Sequence, residues 1–466
     1  MKGITRYGFT FLPVLLIAIQ SYYKIAITAQ LSTIFSSWPE GPYWAIRAAL
    51  FVWFIAAVFK MPASNERPAR MVDAYQAQRS ERDPLLGLRA LACANVIMGH
   101  WFMVVFGSVT PAENTIDLAL RYLLSFSPWG GVWMFFTLSG YLMGKGFASG
   151  RHTIDGAGLK KFYRNRMLRI FPIYFVAVLL VGVLIAPGSI DIRTNQGWDT
   201  ILAFMLFDVH DNALIGALWS VSTEFQFYLI APVLFLILSK IAKNLAVILA
   251  ATAVLLFALG NMKFHILGTH PELWHDHIYY PLISNIDCFV VGMFTAILAN
   301  RAVRAGRYVK HGMVLAGSLT VAFQVFLSSW SFPEMASYAG FPGSATRLYY
   351  LSWAPAVTAV CVGLIIYLFD VSMRQRSILP NWFWRISTTG GLLTYCIYVF
   401  HEPVIMSIRR LYPATLSIKD AMYAFPVGLA LILIVAYVFY ESVEKRFDSK
   451  RQSAVKPDTA PFSVSS

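Results

Sequence analysis

The stretch Leu88-Arg-Ala-Leu-Ala-Cys-Ala-Asn-Val-Ile-Met-Gly-His-Trp101 decides the fold, because it places Arg89 and His100 in a segment that otherwise has the composition of a membrane span. Ionisable groups inside a span are costly and usually mark function. If the segment is helical, the eleven steps between them make roughly 1100°, so both side chains lie on one face, about 16 Å apart. In a hydrocarbon core ~30 Å thick, Arg89 can lie at one interface while His100 lies near the middle.

The composition of the whole chain defines its class. Of the 466 residues, 57% are hydrophobic and 13% are charged, and the mean hydropathy is +0.58. Water-soluble proteins typically have about 25% charged residues. The sequence therefore predicts an all-α, polytopic membrane protein whose spans each approach the ~20 apolar residues that a crossing needs.

The predicted spans divide the chain into four regions. Two N-terminal transmembrane helices occupy residues 1–60, and a linker follows at 61–84. Ten further helices form a transmembrane domain at 85–447, and the polar tail at 448–466 is predicted to be disordered. The twelve spans are predicted at 8–28, 43–59, 85–105, 121–147, 170–186, 225–238, 245–260, 279–298, 312–330, 349–369, 391–408 and 421–440.

Basic residues indicate the orientation of these spans. Most of the 38 Lys and Arg residues fall in segments that the order of spans places on one side of the membrane. The positive-inside rule then predicts that both termini and the linker are cytoplasmic. The formal charge of +14 is explained by this topology, so nucleic-acid binding is not expected.

Two apolar segments allow more than one interpretation. Residues 200–207 are apolar but too short to cross, so we interpret them as a re-entrant or interfacial segment. The first span has the basic start and apolar run of a signal peptide. Its length, and the interruption at Tyr22, Tyr23 and Lys24, favour an uncleaved membrane anchor.

A basic motif lies between the fourth and fifth spans, in Lys160-Lys-Phe-Tyr-Arg-Asn-Arg-Met-Leu-Arg-Ile-Phe-Pro172. Lys160 and Lys161 are equally consistent with a simple cytoplasmic anchor. Arg166 and Arg169 are three residues apart next to the membrane, and two guanidinium groups suit bidentate phosphate binding. The motif therefore predicts a phosphorylated ligand on the cytoplasmic side.

A polar motif opens the sixth span, in Leu218-Trp-Ser-Val-Ser-Thr-Glu-Phe-Gln-Phe-Tyr-Leu229. Glu224 could simply cap the N-terminus of that helix. Alternatively it belongs to a polar pocket together with Trp219, Ser220 and Tyr228, because carbohydrate hydroxyls need donors and acceptors beside an aromatic surface. We expect these residues to bind the substrate.

Two further intramembrane positions have open roles. In Phe135-Phe-Thr-Leu-Ser-Gly-Tyr-Leu142, Ser139 either allows close helix packing or takes part in the chemistry. In Tyr398-Val-Phe-His-Glu-Pro-Val404, His401 is either a structural histidine or a second proton carrier, and its spacing does not decide.

No metal site is predicted. The four cysteines lie in apolar segments without the pairwise spacing of metal ligands, and they are expected to be buried small hydrophobic residues. The outer loop carries His265, His270, His275 and His277 at irregular spacing, which does not indicate converging ligands.

Taken in order, these motifs resemble those of the acyltransferase family 3 membrane proteins. The motifs are an arginine followed eleven positions later by histidine, then Phe-Phe-x-x-Ser-Gly, Arg-x-x-Arg-x-x-Pro and Trp-Ser-x-x-x-Glu-x-x-Phe-Tyr-Leu. The resemblance extends over about 85–447 and implies ten core spans. It also implies transfer of an acyl group, most often acetyl, from a coenzyme A thioester to a hydroxyl, typically on a glycan, by a protein of the bacterial inner membrane.

The resemblance also assigns residues. It carries the arginine–histidine pair onto Arg89 and His100, and the remaining family positions onto Arg166, Arg169, Ser139, Gly140, Trp219, Ser220, Glu224 and the His401-x-Pro403 element. The chain departs from the family at Leu85 and Leu86, where an acidic residue is frequent, and at Phe225, which replaces a frequent second glutamate. The two spans before residue 61 lie outside the common pattern.

These assignments suggest a mechanism with two variants. Arg166, Arg169 and Arg89 would hold the phosphates of acetyl-CoA, and His100 would act as general base on the acceptor hydroxyl. Glu224 would orient His100 or hold the sugar. In the other variant, the acyl group passes through an acyl-histidine before the acceptor binds.

The competing class is a transporter or flippase for lipid-linked sugars, because many carriers also have about twelve spans with intramembrane charges. Such folds often contain internal repeats, and the Arg89 and Glu224 motifs do not recur in the second half of this chain. The acceptor, the acyl chain length and the oligomeric state are left open by the sequence.

Overall fold

The computed structural model describes residues 37–38, 40–59, 84–105, 127–208, 214–301, 309–336, 345–372, 381–411 and 418–447, together with positions 13, 16, 17, 19 and 20. The predicted first span is therefore largely outside the described residues. The linker up to residue 83 and the predicted disordered tail also lie outside them.

The described part of the chain is built from helices and contains no strand. Its α-helices are α1 (Gly41–Phe59), α2 (Pro84–Val105), α3 (Pro128–Ala148), α4 (Gly156–Leu180), α5 (Asn195–Met205), α6 (Leu218–Ile241), α7 (Leu245–Thr269), α8 (Leu282–Arg301), α9 (Val309–Ala336), α10 (Ala345–Ser372), α11 (Asn381–Arg409) and α12 (Ile418–Phe439).

Eight helices among the described residues are long and apolar enough to cross a membrane, which confirms the predicted all-α polytopic class. Helices α1, α3 and α9 match predicted spans but fall outside this group. Helix α3 contains five glycines, and the apolar part of α9 extends only over Val314–Phe326. The number of twelve crossings stays a prediction.

Helix α5 corresponds to the segment that was predicted not to cross. Its 11 residues would span only about 16 Å, roughly half of a hydrocarbon core. Thr194 caps its start, since the Thr194 hydroxyl accepts a hydrogen bond of 3.0 Å from the Gly197 N–H. Beyond its end, Phe207 has a φ of 50°, an unusual left-handed conformation for a large side chain.

Close backbone packing places α2 between α3 and α11. A Cβ atom at Gly131 of α3 would lie 2.6 Å from the Ala92 carbonyl oxygen of α2. A Cβ atom at Gly391 of α11 would lie 2.5 Å from the Leu86 carbonyl oxygen on the other flank. Because small residues let helix backbones approach, α2 is held on both sides along the half that carries Arg89.

Polar side chains connect neighbouring helices inside the bundle. Asn95 of α2 and Gln324 of α9 exchange two amide hydrogen bonds, of 2.9 and 2.8 Å. Lys263 of α7 forms a salt bridge of 2.8 Å with Asp287 of α8, and both side chains are fully buried. Such pairing satisfies polar groups that lipid cannot.

The N-terminal helix α1 docks on the turn that follows α5. The Arg47 guanidinium lies 3.4 Å from the Asp208 carboxylate, with both side chains fully buried. It also donates a hydrogen bond of 2.9 Å to the Phe207 carbonyl oxygen, and the Tyr43 hydroxyl donates one of 3.1 Å to Asp208. On the far side of the turn, the Phe207 ring stacks on Phe225 of α6, with ring centroids 4.3 Å apart.

We expect Arg47→Leu to lower the free energy of unfolding by about 3–5 kcal/mol, because it leaves the Asp208 carboxylate buried without its guanidinium partner. The measurement is thermal unfolding of the purified protein in detergent. The double variant Arg47→Leu/Asp208→Leu is the control, and it should recover most of the loss. A double variant as unstable as the single one would contradict a role for the ion pair.

Candidate active site

A cavity enclosed by five helices collects most of the residues that the sequence singled out. It contains about 680 Å³ of space free of protein atoms, including open solvent at its mouth. Its polar lining comes from Arg89 of α2, Ser139 of α3, Arg169 of α4, Ser220 and Glu224 of α6, and Thr394, Tyr395 and Tyr398 of α11.

Glu224 is the centre of a hydrogen-bond network that joins α3 to α6. Its Oε1 atom accepts hydrogen bonds from the Ser139 hydroxyl at 2.6 Å and from the Tyr228 hydroxyl at 2.5 Å. The other carboxylate oxygen, Oε2, is used by neither of them. The possibility that Glu224 only caps its helix is wrong, because α6 begins at Leu218, seven residues before the predicted start of the span, and Glu224 lies in its second turn.

Close helix packing, one of the two roles considered for Ser139, belongs to its neighbour Gly140. Gly140 is the packing residue, since a Cβ atom there would overlap the Phe289 carbonyl oxygen of α8. Ser139 turns its hydroxyl to Glu224 and is 4% exposed. The close approach of α3 to α8 thus determines where the Ser139 hydroxyl lies.

Arg166 and Arg169 of α4 have different surroundings. Arg169 lines the cavity, as does Arg89. The Arg166 guanidinium carbon lies 5.4 Å from the centroid of the Tyr228 ring and 5.6 Å from that of Phe162. Arg166 forms no salt bridge with a carboxylate among the described residues, and this cation is held by the two aromatic faces and by a hydrogen bond with the Tyr228 side chain.

Ser220 and Trp219, consecutive residues at the start of α6, have different surroundings. The Ser220 hydroxyl is 2.5 Å from the Tyr398 hydroxyl and lines the cavity. Trp219 is not part of the lining. It lies in a buried aromatic cluster, with its ring centroid 4.3 Å from that of Tyr279 and 5.1 Å from that of Tyr280.

His100 does not line the cavity and pairs instead with His401 of α11. Its Nδ1 atom lies 3.0 Å from the His401 Nε2 atom and 3.0 Å from the Val96 carbonyl oxygen. No hydrogen bond joins His100 to Glu224, although both belong to the described residues. Tyr398 connects the histidine pair to the cavity, because it lines the cavity and its ring centroid lies 5.6 Å from that of His401.

Glu402 is a site residue that the sequence did not assign. Its Oε2 atom accepts a hydrogen bond of 2.6 Å from the Ala217 N–H, so this carboxylate caps the start of α6. The only sequence signal was its position next to His401 and Pro403. His401 and Glu402 together bind α11 to α2 and α6 around the site.

The end of the bundle that carries the basic motif is strongly positive. Burial, together with the nearby cations Arg166, Arg151 and Lys161, lowers the pKa of His152 to about 2. His152 is therefore neutral at pH 7, and its ring packs edge-on against Phe147 and Phe162. A negative ligand at this end would be attracted by the arginines and lysines rather than by the histidine.

Metal ligands do not converge within the described residues. No group of three or more His, Cys, Asp or Glu side chains there has the arrangement of a metal site. In the segment that follows α7, His270 pairs with Glu272 at 3.0 Å, and His275 stacks on Tyr280.

A multi-helix membrane protein with a polar, arginine-lined cavity is the class that this geometry defines. A family model described as "Acyltransferase domain" matches residues 85–441, and the chain belongs to this family. The resemblance seen in the sequence motifs is thereby confirmed, as is the predicted class of enzyme, an acyltransferase. No solved structure matches the chain.

Two of the curated relatives that the chain resembles have names that state a function. The chain is 29% identical over 182 residues to the peptidoglycan O-acetyltransferase OatA of Listeria monocytogenes, covering 34% of this chain and 28% of that protein. It is 22% identical over 337 residues to a Staphylococcus aureus protein named as a candidate O-acetyltransferase, covering 68% of this chain and 52% of that protein.

A third relative, an uncharacterised protein of Haemophilus influenzae, is 26% identical over 212 residues, covering 42% of this chain and 86% of that protein. The alignments to the two relatives with functional names thus cover about a quarter and about half of those proteins.

We expect His152 to make folding depend on pH. Its folded-state pKa of about 2 lies below the ordinary value, so the unfolded chain binds the proton first as the pH falls. Its contribution to stability is complete above pH ~6.5 and decreases toward the folded-state pKa by at most about 1.4 kcal/mol per pH unit.

Unfolding of the detergent-purified protein at pH 7 and pH 5 tests this, with His152→Phe as the comparison. The variant should lose less stability between the two pH values than the native protein. An identical loss in both would show that the pKa of His152 is not lowered in the folded protein.

Proposed function

We propose that the chain is an integral membrane O-acetyltransferase of the bacterial inner membrane, with both termini in the cytoplasm. It transfers an acetyl group from acetyl-CoA, bound at the cytoplasmic side, to a hydroxyl of a glycan or lipid-linked sugar at or beyond the membrane. One observation carries the proposal: a single cavity holds two arginines together with a carboxylate and hydroxyl groups. The names of the relatives from Listeria and Staphylococcus support an acetyl donor and a carbohydrate acceptor.

The donor would be bound by the arginines. Arg89 and Arg169 in the cavity, and Arg166 beside Tyr228, provide charge for the phosphates of coenzyme A, since guanidinium groups suit bidentate phosphate contacts. The long arm of coenzyme A would then extend from this end toward His100. The thioester would lie where α2, α6 and α11 meet.

The acceptor would be bound by the polar side chains of α3 and α6. Glu224 lines the cavity, and its Oε2 atom, which Ser139 and Tyr228 do not use, can accept a hydrogen bond from a sugar hydroxyl. Ser220 supplies a second polar group nearby. The aromatic cluster that contains Trp219 packs behind this part of the lining. Glu224 therefore holds the sugar in this proposal rather than orienting His100.

The chemical step assigns the proton to His100. His100 Nε2 takes the proton of the acceptor hydroxyl while that oxygen attacks the thioester carbonyl carbon. The C–S bond then breaks, and the coenzyme A thiolate receives the proton from the imidazolium. Proton transfer of this kind typically contributes ~10²- to 10⁴-fold, so positioning by the arginines and Glu224 must supply much of the remaining acceleration.

We expect His100→Ala to abolish acetyl transfer without changing the amount of protein in the membrane, because no other group would take the proton of the hydroxyl. The measurement is incubation of membranes with labelled acetyl-CoA, followed by separation of the glycan and lipid fractions. His265→Ala is the control, because His265 is exposed on α7 and should leave labelling intact. Labelling that survives in His100→Ala would overturn the mechanism. If the native protein labels no fraction, acetyl transfer itself is wrong and transport is favoured.

We expect Arg166→Ala to raise the KM for acetyl-CoA by about tenfold or more, since a hydrogen bond to a charged group contributes about 1.5–3 kcal/mol. Initial rates at varied donor concentration measure this. Arg164→Ala, an exposed arginine on the same helix, is the matched control and should leave KM unchanged. Equal KM values in the two variants would show that Arg166 does not bind acetyl-CoA.

A further inference from the structure

Two imidazoles from distant parts of the sequence form one hydrogen-bonded pair. His100 of α2 and His401 of α11 are 301 residues apart, and their ring centroids are separated by 4.9 Å. The contact joins His100 Nδ1 to His401 Nε2 at 3.0 Å. One nitrogen of such a pair must donate and the other must accept, so the direction of this bond defines both tautomers.

The backbone determines the tautomer of His401. Its Nδ1 atom lies 2.6 Å from the Tyr398 carbonyl oxygen, which can only accept a hydrogen bond. His401 Nδ1 therefore carries a proton. In a neutral imidazole the other nitrogen then has none, so His401 Nε2 is an acceptor.

The tautomer of His100 follows from two acceptors that face one of its nitrogens. The Val96 carbonyl oxygen and His401 Nε2 both lie 3.0 Å from His100 Nδ1, and both accept. His100 Nδ1 therefore carries the proton, and His100 Nε2 is left with its lone pair. Within the described residues, His100 Nε2 has no hydrogen-bond partner.

We propose that His401 is a positioning residue that holds His100 in the tautomer whose Nε2 atom accepts the proton of the attacking hydroxyl. This proposal rests on the role of His100 as general base. When Nε2 takes that proton, His100 becomes an imidazolium and its Nδ1–H bond to His401 becomes charge-assisted and stronger. The proton leaves again from Nε2 to the departing thiolate, so His401 never changes its own protonation.

The surroundings of the pair fit this role. Among the described residues, the titratable groups Tyr398 and Glu402 of α11 lie beside it. Glu402 is anchored to the Ala217 N–H at the start of α6, which holds this carboxyl group in place near the pair. His401 is fully buried, whereas His100 is only partly so, which keeps His401 away from the substrate.

Two substitutions at residue 401 separate a hydrogen-bond acceptor from a space-filling side chain. His401→Gln can place its amide oxygen near the former Nε2 position and accept from His100 Nδ1. His401→Leu fills similar volume and accepts nothing. We expect His401→Leu to lower kcat by about 10- to 10²-fold with an unchanged KM for acetyl-CoA, because His100 loses the charge-assisted hydrogen bond that stabilises its imidazolium while donor binding is kept.

His401→Gln should keep kcat within about threefold of the native value, because its amide oxygen still accepts the hydrogen bond from His100 Nδ1. Two results would overturn the proposal: full activity in His401→Leu, or an equal loss of kcat in both variants when both are folded. If His401→Leu is active while His100→Ala is inactive, the positioning role is wrong and the base assignment stands. If both are active, the base assignment is wrong as well.

A measurement on the unaltered site keeps the proposal testable even if the leucine variant does not fold. In protein labelled with ¹⁵N-histidine, the ring nitrogen shifts distinguish protonated from unprotonated positions, and His100→Asn identifies the His100 signals. We expect a protonated Nδ1 and an unprotonated Nε2 in His100 at neutral pH. The reverse pattern would overturn the proposal.

Discussion

A polar group inside a bilayer has no water to bind, so each one must find its partner on a neighbouring helix. This constraint organises the bundle around α2. Asn95 pairs with Gln324 of α9 and His100 with His401 of α11, while glycines of α3 and α11 bring the backbones close enough for such contacts. The same requirement puts Glu224 against the hydroxyl groups of Ser139 and Tyr228.

The site therefore consists of two connected parts. The cavity holds the arginines and the Glu224 network, and the histidine pair lies behind the Tyr398 side chain. Tyr398 belongs to both, because its hydroxyl contacts Ser220 in the cavity and its carbonyl oxygen accepts from His401. One turn of α11 thus couples the part suited to binding with the part suited to proton transfer.

Helix α1, which precedes the family domain, supports the rear of α6. Arg47 holds the turn after α5, and the Phe207 ring of that turn stacks on Phe225. Phe225 is the residue next to Glu224, so α1, which lies outside the family match, supports through Phe207 the side of α6 about 100° around the helix from the carboxylate. The frequent second glutamate at this position would meet an aromatic surface here, which explains in physical terms why phenylalanine fits.

The sequence by itself determined the class of the protein, the order of the motifs and the placement of Arg89 and His100 on one helix, because composition and helical spacing act within a single segment. It also singled out Glu224, Ser139 and Arg169, which the fold brings into one cavity. Only the tertiary structure decided that α6 begins early enough to place Glu224 inside the helix, and that His401 rather than Glu224 contacts His100. Those outcomes depend on which helices become neighbours, and that follows from packing between residues hundreds of positions apart, which no local pattern records.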